Sequence, residues 1–140
     1  TWKVQILATD VSKTVLARAC AGRYRQIEIN RGLSANLLVK YFVRDGLEWE
    51  IRPELKRLVK FAELNLIGSW PPMEKFDLVI LRNVLIYFDL DVKRAILDSV
   101  RGLMAPDGVL FLGAAETTTN VAAGWTATVK DRSTYFKVQR

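Results

Sequence analysis

The chain contains no histidine, which excludes histidine general bases, Ser-His-Asp triads and histidine-ligated zinc. Its single cysteine, Cys20, excludes an internal disulfide framework and a cysteine metal cluster, and a reducing cytoplasm is the simplest compartment. No apolar run approaches the roughly 18 residues needed to span a bilayer. The longest candidate, residues 78–88, is broken by Arg82 and Asn83. The opening residues show no basic region followed by an apolar stretch and a cleavage site, so nothing suggests secretion. None of the eight glycines forms a G-x-G set, and no segment is a basic run of five or more. Nothing in the sequence supports a metal requirement.

What is present is an ordinary globular balance: 140 residues, 50% hydrophobic and 26% charged, enough for one domain with a core. The net charge of +6 invites a nucleic-acid reading, but the Lys and Arg residues are dispersed. In the densest stretch, residues 52–60, Arg52, Lys56, Arg57 and Lys60 surround an apolar helical stripe, the pattern of a solvated face. An acidic protein partner would be attracted equally well, and neither nucleic-acid binding nor membrane insertion is expected.

Residues 2–10 (WKVQILATD) read as a strand ending at Asp10. Ser12 can cap a helix that Gly22 stops, with Val15, Leu16 and Ala19 on one face. After a turn at Asn30-Arg31-Gly32, residues 33–52 read as irregular, with short strands at 41–43 and 47–51 around Arg44-Asp45-Gly46. Pro53 opens a short helix and residues 59–64 form another strand. Trp70-Pro71-Pro72 is a loop, and the apolar run FDLVIL (76–81) has the composition of a parallel strand buried on both faces. Asp91 is placed as the cap of a helix whose Val92, Ala95, Ile96, Val100 and Leu103 share a stripe. Ala105-Pro106-Asp107-Gly108 turns into a strand at 109–113, and residues 125–129 and 134–138 form a hairpin around Lys130-Asp131-Arg132. Strands alternating with helices, then an antiparallel pair, indicate an α/β sheet.

Ligands of open α/β sheets bind beyond the carboxyl ends of the strands. Asp10, Asn65 with Leu66, and Leu81 with Arg82 and Asn83 all follow predicted strands, and their convergence on one edge would make a small-molecule pocket. Each has a plainer explanation. Asp10 either accepts hydrogen bonds from ribose hydroxyls or caps the next helix. Asn65 can be a turn residue, and Arg82 can pair with a surface acid.

Order and context narrow these alternatives. The run LRNVLIYFD (residues 81–89) closely resembles the signature of CheR-type chemotaxis receptor methyltransferases. Ala8-Thr9-Asp10 with Ser12 resembles the ATD-(I/V)-S segment of that family. Ala21-Gly22-Arg23-Tyr24, Arg31-Gly32-Leu33, Lys40-Tyr41-Phe42 and Asn65-Leu66 match its next landmarks in order. Residues 108–116 (GVLFLGAAE) resemble its closing strand. The resemblance covers essentially the whole chain. It implies an α/β, Rossmann-like fold dependent on S-adenosylmethionine, with a small inserted β-subdomain at about residues 24–51. It further implies methyl esterification of glutamate side chains on the cytoplasmic domain of chemotaxis receptors, with S-adenosylhomocysteine as product. Asp10 would bind the cofactor ribose, Asn65 and Leu66 would frame the adenine, Leu81 and Arg82 would line the cofactor and substrate side, and Tyr87 would stand near the transferred methyl. For Tyr87 the plain alternative is an aromatic filling space beside Phe88.

Set against the family pattern, the chain opens in the second strand. The first strand, the glycine-rich cofactor loop, an N-terminal helical domain and an arginine expected near the substrate would all lie upstream. The expectation is a fold incomplete at its N-terminus, an inactive fragment of an active parent, whose unpaired edges close by re-pairing, strand exchange or dimerisation. The short Arg44-Asp45-Gly46 connection further predicts methylation without receptor tethering. Three other functions compete with this one. One is a non-catalytic methyltransferase-like module. A second is a nucleic-acid methyltransferase, disfavoured because Pro71-Pro72 precedes the strand that a catalytic Pro-Pro motif would follow. The third is a nicotinamide-dependent reductase, for which no Tyr-x-x-x-Lys pair or glycine fingerprint is present.

Overall fold

A computed structural model describes residues 2–139 and divides the chain into two compact units, residues 1–65 and 66–140. In the first unit, β1 (Ile6–Asp10) pairs in parallel with β5 (Val59–Glu63), from Ile6↔Val59 to Asp10↔Glu63. Helix α1 (Lys13–Ala21) follows β1, and its ends are set by local chemistry. The Ser12 hydroxyl accepts the Val15 N–H at 3.3 Å. Gly22 closes the helix in the left-handed region at φ 67°, donating its N–H to Ala19 and Arg18 carbonyls.

Between these strands lies an antiparallel sheet in the order β2-β4-β3, formed by Arg23–Arg25, Glu48–Ile51 and Phe42–Asp45. One guanidinium ties it together. Arg23 donates to Asp45 at 2.8 Å, Glu48 at 2.9 Å and Glu50 at 3.4 Å, so a β2 side chain reaches both other strands. Two helices, α2 (Gln26–Ile29) and α3 (Ala35–Tyr41), precede β3, and α4 (Pro53–Lys56) follows β4. Reading residues 33–52 as irregular was therefore wrong in its first part. A seven-residue helix whose Ser34 cap makes no side-chain hydrogen bond leaves little local signal. The hairpin turn falls at Gly46-Leu47, and its strands at Phe42–Asp45 and Glu48–Ile51, each shifted slightly from the expected bounds.

The second unit carries a four-stranded sheet in the order β6-β7-β9-β8, formed by Phe76–Leu81, Met104–Leu112, Ser133–Val138 and Trp125–Lys130. β6 and β7 are parallel and joined by α5 (Leu90–Leu103). The terminal hairpin turns at Asp131 and Arg132, both at positive φ (49° and 64°), as a two-residue turn matched to strand twist requires. The core is formed by Ile96, Leu97 and Val100 of α5 against Met104, Leu110 and Leu112 of β7, Phe136 of β9, and Leu85. Each such burial is worth about 1.5–3 kcal/mol.

Four expectations need correction here. Residues 105–108, expected as a turn, lie within β7 (Met104–Leu112). The cap of α5 is Asp89, whose carboxylate accepts the Val92 N–H at 3.0 Å; Asp91 lies in the first turn and pairs with Arg94. The buried stripe includes Leu97 and leaves Ala95 exposed. β6 is not buried on both faces: Leu78 and Ile80 are exposed, because β6 is an edge strand and no element of its unit covers that face. Among the described residues β1 pairs only with β5 and β6 only with β7, so each sheet retains a free edge.

Candidate functional site

The carboxyl ends of β1 and β5 bring Asp10 and Asn65 to one edge of the first unit. Asp10 is half-buried. Its Oδ1 accepts the Ser12 N–H at 2.8 Å, and its backbone carbonyl accepts from Leu64 at 3.1 Å. Ser12, not Asp10, is the helix cap, and the second carboxylate oxygen of Asp10 accepts nothing from a described residue. Asn65 is exposed at the end of this unit.

In the second unit the side chains of Leu66 and Leu81 are half-buried and pack against the core. Arg82 opens the turn that follows β6. Asn83 takes a left-handed conformation (φ 57°), which asparagine tolerates better than most residues, and a 3-10 helix at Leu85–Tyr87 leads to the Asp89 cap. Tyr87 is 79% exposed, so it does not fill space beside Phe88, which packs against the core.

One carboxylate organises this turn. Glu116 Oε1 accepts the N–H groups of Val84 at 2.9 Å, Leu85 at 2.7 Å and Ile86 at 3.3 Å. Its Oε2 accepts those of Asn83 at 2.7 Å and Gly113 at 2.6 Å. Burial raises the carboxyl's pKa, and the bonds from Asn83, Gly113, Leu85 and Val84 together outweigh it, holding the group below the usual carboxylate range. Gly113 is needed for this approach. A Cβ there would stand 2.6 Å from Glu116 Oε2 and 2.9 Å from the Asn83 nitrogen.

An open cavity of about 700 Å³ lies beside the turn, lined among others by Arg82, Glu116, Thr117, Arg132 and Thr134. The β8–β9 turn reaches it because β9 runs antiparallel to β7. Glu116 keeps its negative charge but is engaged by backbone donors, so Arg82 and Arg132 give the cavity two cations against one carboxylate. Both are exposed, and neither makes an ion pair or hydrogen bond with a described residue. Such a cavity suits an anionic group. Tyr87 does not line it. In the sequence Arg132 has only the signal of a turn residue, and nothing in its neighbourhood distinguishes it further. Glu116 was visible as the last residue of the GVLFLGAAE segment, but without a partner. No group of metal-ligating side chains occurs among the described residues.

Parallel strands joined by a helix, polar residues at their carboxyl ends and a closing antiparallel hairpin define a Rossmann-like fold of the methyltransferase type. The solved N-methyltransferase NodS from Bradyrhizobium japonicum WM9, in complex with S-adenosyl-l-homocysteine, is similar in fold, with a TM-score of 0.52 at 17% identity over 94% of this chain and 63% of that one. The family described as CheR methyltransferase, SAM binding domain, matches residues 1–134, and the chain belongs to that family. It is 45% identical over 119 residues to chemotaxis protein methyltransferase 1 of Pseudomonas aeruginosa, covering 84% of this chain and 43% of that protein. It is 39% identical over 121 residues to the chemotaxis protein methyltransferase of Escherichia coli, covering 82% and 41%. The chain thus spans less than half the length of these relatives.

Proposed function

We propose that this protein is a cytoplasmic protein-glutamate O-methyltransferase that esterifies side chains on the cytoplasmic domain of chemotaxis receptors, using S-adenosylmethionine. The observation that carries this reading is the cavity beside the 81–89 signature, where Arg82 and Arg132 outnumber the single carboxylate, Glu116, whose oxygens are already occupied by backbone donors. A glutamate side chain is the matching anion.

Bound S-adenosylmethionine supplies an electrophilic methyl group on a sulfonium. The free oxygen of Asp10, held in orientation by the Ser12 amide, fits as acceptor for ribose hydroxyls. Asn65 and Leu66 are assigned to the adenine, and Leu81 and Arg82 to the cofactor's reacting side. The acceptor carboxylate is already ionised at neutral pH, so no residue has to remove a proton. That agrees with a chain devoid of histidine. Alignment and exclusion of water supply the acceleration. Arg82 and Arg132 draw the substrate carboxylate in, and their exposure keeps the pairing weak enough to leave its oxygen nucleophilic. Tyr87, outside the lining of that cavity, is assigned through its hydroxyl to orienting the methyl donor or the approaching acceptor.

Calorimetric titration of S-adenosylhomocysteine tests the cofactor assignment. Saturable heat is expected, with at least tenfold weaker binding by Asp10→Ala. Unchanged affinity in that variant would remove the ribose role from Asp10. Labelled methyl transfer to a receptor cytoplasmic domain then tests the reaction, and base should release the label as methanol, as an ester requires. Base-stable label would contradict esterification, and binding without transfer would favour a non-catalytic module.

A further inference from the structure

The Glu116 carboxylate does something that packing alone does not require. Five backbone N–H groups converge on its two oxygens, and four belong to consecutive residues, Asn83 to Ile86. A carboxylate in this role makes charge-assisted bonds, roughly twice as strong as neutral ones. The turn it gathers starts one residue after Arg82 and ends one residue before Tyr87. Both side chains therefore project from backbone whose conformation Glu116 sets. Asn83 sits in the left-handed region within this turn, a conformation that needs support from its surroundings. Gly113 supplies the other half of the lock by letting the Asn83 backbone approach. Leu85 anchors the turn from below, buried in the core at 2% exposure.

We propose that Glu116 is the positioning residue of the methyl-transfer site, fixing the Asn83–Ile86 backbone so that Arg82 and Tyr87 are presented to the reacting groups. Glu116 borders the cavity but has no acceptor capacity left for substrate or cofactor, because its oxygens are taken by backbone donors of the protein. The inference rests on the methyltransferase reading given above, and it extends that reading to a residue outside the signature. It also excludes the N–H groups of this turn as receptors for the substrate carboxylate, leaving that task to arginine side chains.

Glu116→Gln is the informative substitution. It preserves size and replaces one acceptor oxygen with an NH2 group facing N–H donors. Amide hydrogen exchange is read first, since it does not depend on activity. Protection at Asn83, Val84, Leu85, Ile86 and Gly113 should fall about tenfold or more, while Ile96, Leu97 and Val100 keep theirs and show that the unit remains folded. Unchanged protection of the turn would overturn the proposal. Gly113→Ala, which leaves the carboxylate in place but obstructs the approach, should produce the same local loss. Kinetics in the full-length protein provide the second arm. Methyl transfer at saturating cofactor should drop about 10- to 100-fold in Glu116→Gln. In an Arg82→Ala, Tyr87→Phe background the same substitution should have little further effect, because Glu116 acts through those side chains. Full additivity would refute positioning and leave only a structural role. If the wild-type protein transfers no methyl group, the proposed function fails, and the exchange data still decide what Glu116 does to the turn.

Discussion

The two units of the chain are held together by different means. Among the described residues, Ile29 is the one buried hydrophobic side chain of residues 1–65, while Leu85, Ile96, Leu97, Val100, Met104, Leu110, Leu112 and Phe136 all belong to residues 66–140. The first unit carries instead exposed or half-buried ion pairs: Arg23 with Asp45, Glu48 and Glu50, Arg18 with Glu28, and Lys13 with Glu63. Such pairs each contribute little in water, whereas buried aliphatic groups contribute heavily. The residues assigned to the cofactor ribose and to adenine hydrogen bonding, Asp10 and Asn65, therefore sit on the weaker unit. The turn assigned to methyl transfer sits on the firmer one. Precision is needed most where the methyl group moves, and a cofactor can itself order the part that receives it.

The strongest test of this contrast is truncation of one buried side chain in each unit. Leu97→Ala should cost about 2–5 kcal/mol in urea denaturation, since Leu97 is wholly buried within the cluster. Ile29→Ala, with no buried neighbours in a comparable cluster, should cost less than half as much. Equal losses would break the comparison. Hydrogen exchange with and without S-adenosylhomocysteine gives the next largest effect. Amides of β1 and α1 should exchange at least tenfold faster than those of α5 in the free protein, and saturating ligand should narrow the gap by slowing the first unit.

Acid sharpens the picture within the firm unit. Glu116 is depressed on folding, so the stability it contributes is present above the unfolded carboxylate pKa of about 4.3 and is lost as pH falls through its lower folded value. Stability measured from pH 7 to pH 3 should hold through mild acid and then decline, and Glu116→Gln should flatten part of that decline. The smallest effect is expected from Arg23→Ala. Faster amide exchange should be confined to residues 23–51, and 1 M salt should reproduce much of it in the wild type. Loss of protection in α5 would mean the units are not energetically separate.

Much of this architecture could be read from neighbouring residues. Ser12 and Gly22 bound α1 because capping bonds reach only three or four positions along the chain. The strand Phe76–Leu81 was legible from its apolar run, and the terminal hairpin from the polar turn between two β-rich segments. The signature at residues 81–89 was enough to name the family that the comparison over residues 1–134 establishes. Helices α2 and α3 escaped because they are too short to develop a periodic face or a strong cap. The exposed face of β6 escaped because an apolar run reports composition, whereas burial depends on which strands and helices lie beside it.

At the candidate site the division is sharper. The sequence alone determined which residue types follow each strand, placing Asp10, Asn65 and Arg82 at carboxyl ends, because strand order along the chain imposes that. Only the tertiary structure decided what surrounds them. Glu116 lies 33 positions from Asn83, and Arg132 lies on a turn that meets the cavity only because β9 runs antiparallel to β7. Hydrogen bonds and electric fields act through space over a few ångströms, and no local pattern in the chain encodes which distant backbone amides a carboxylate will meet.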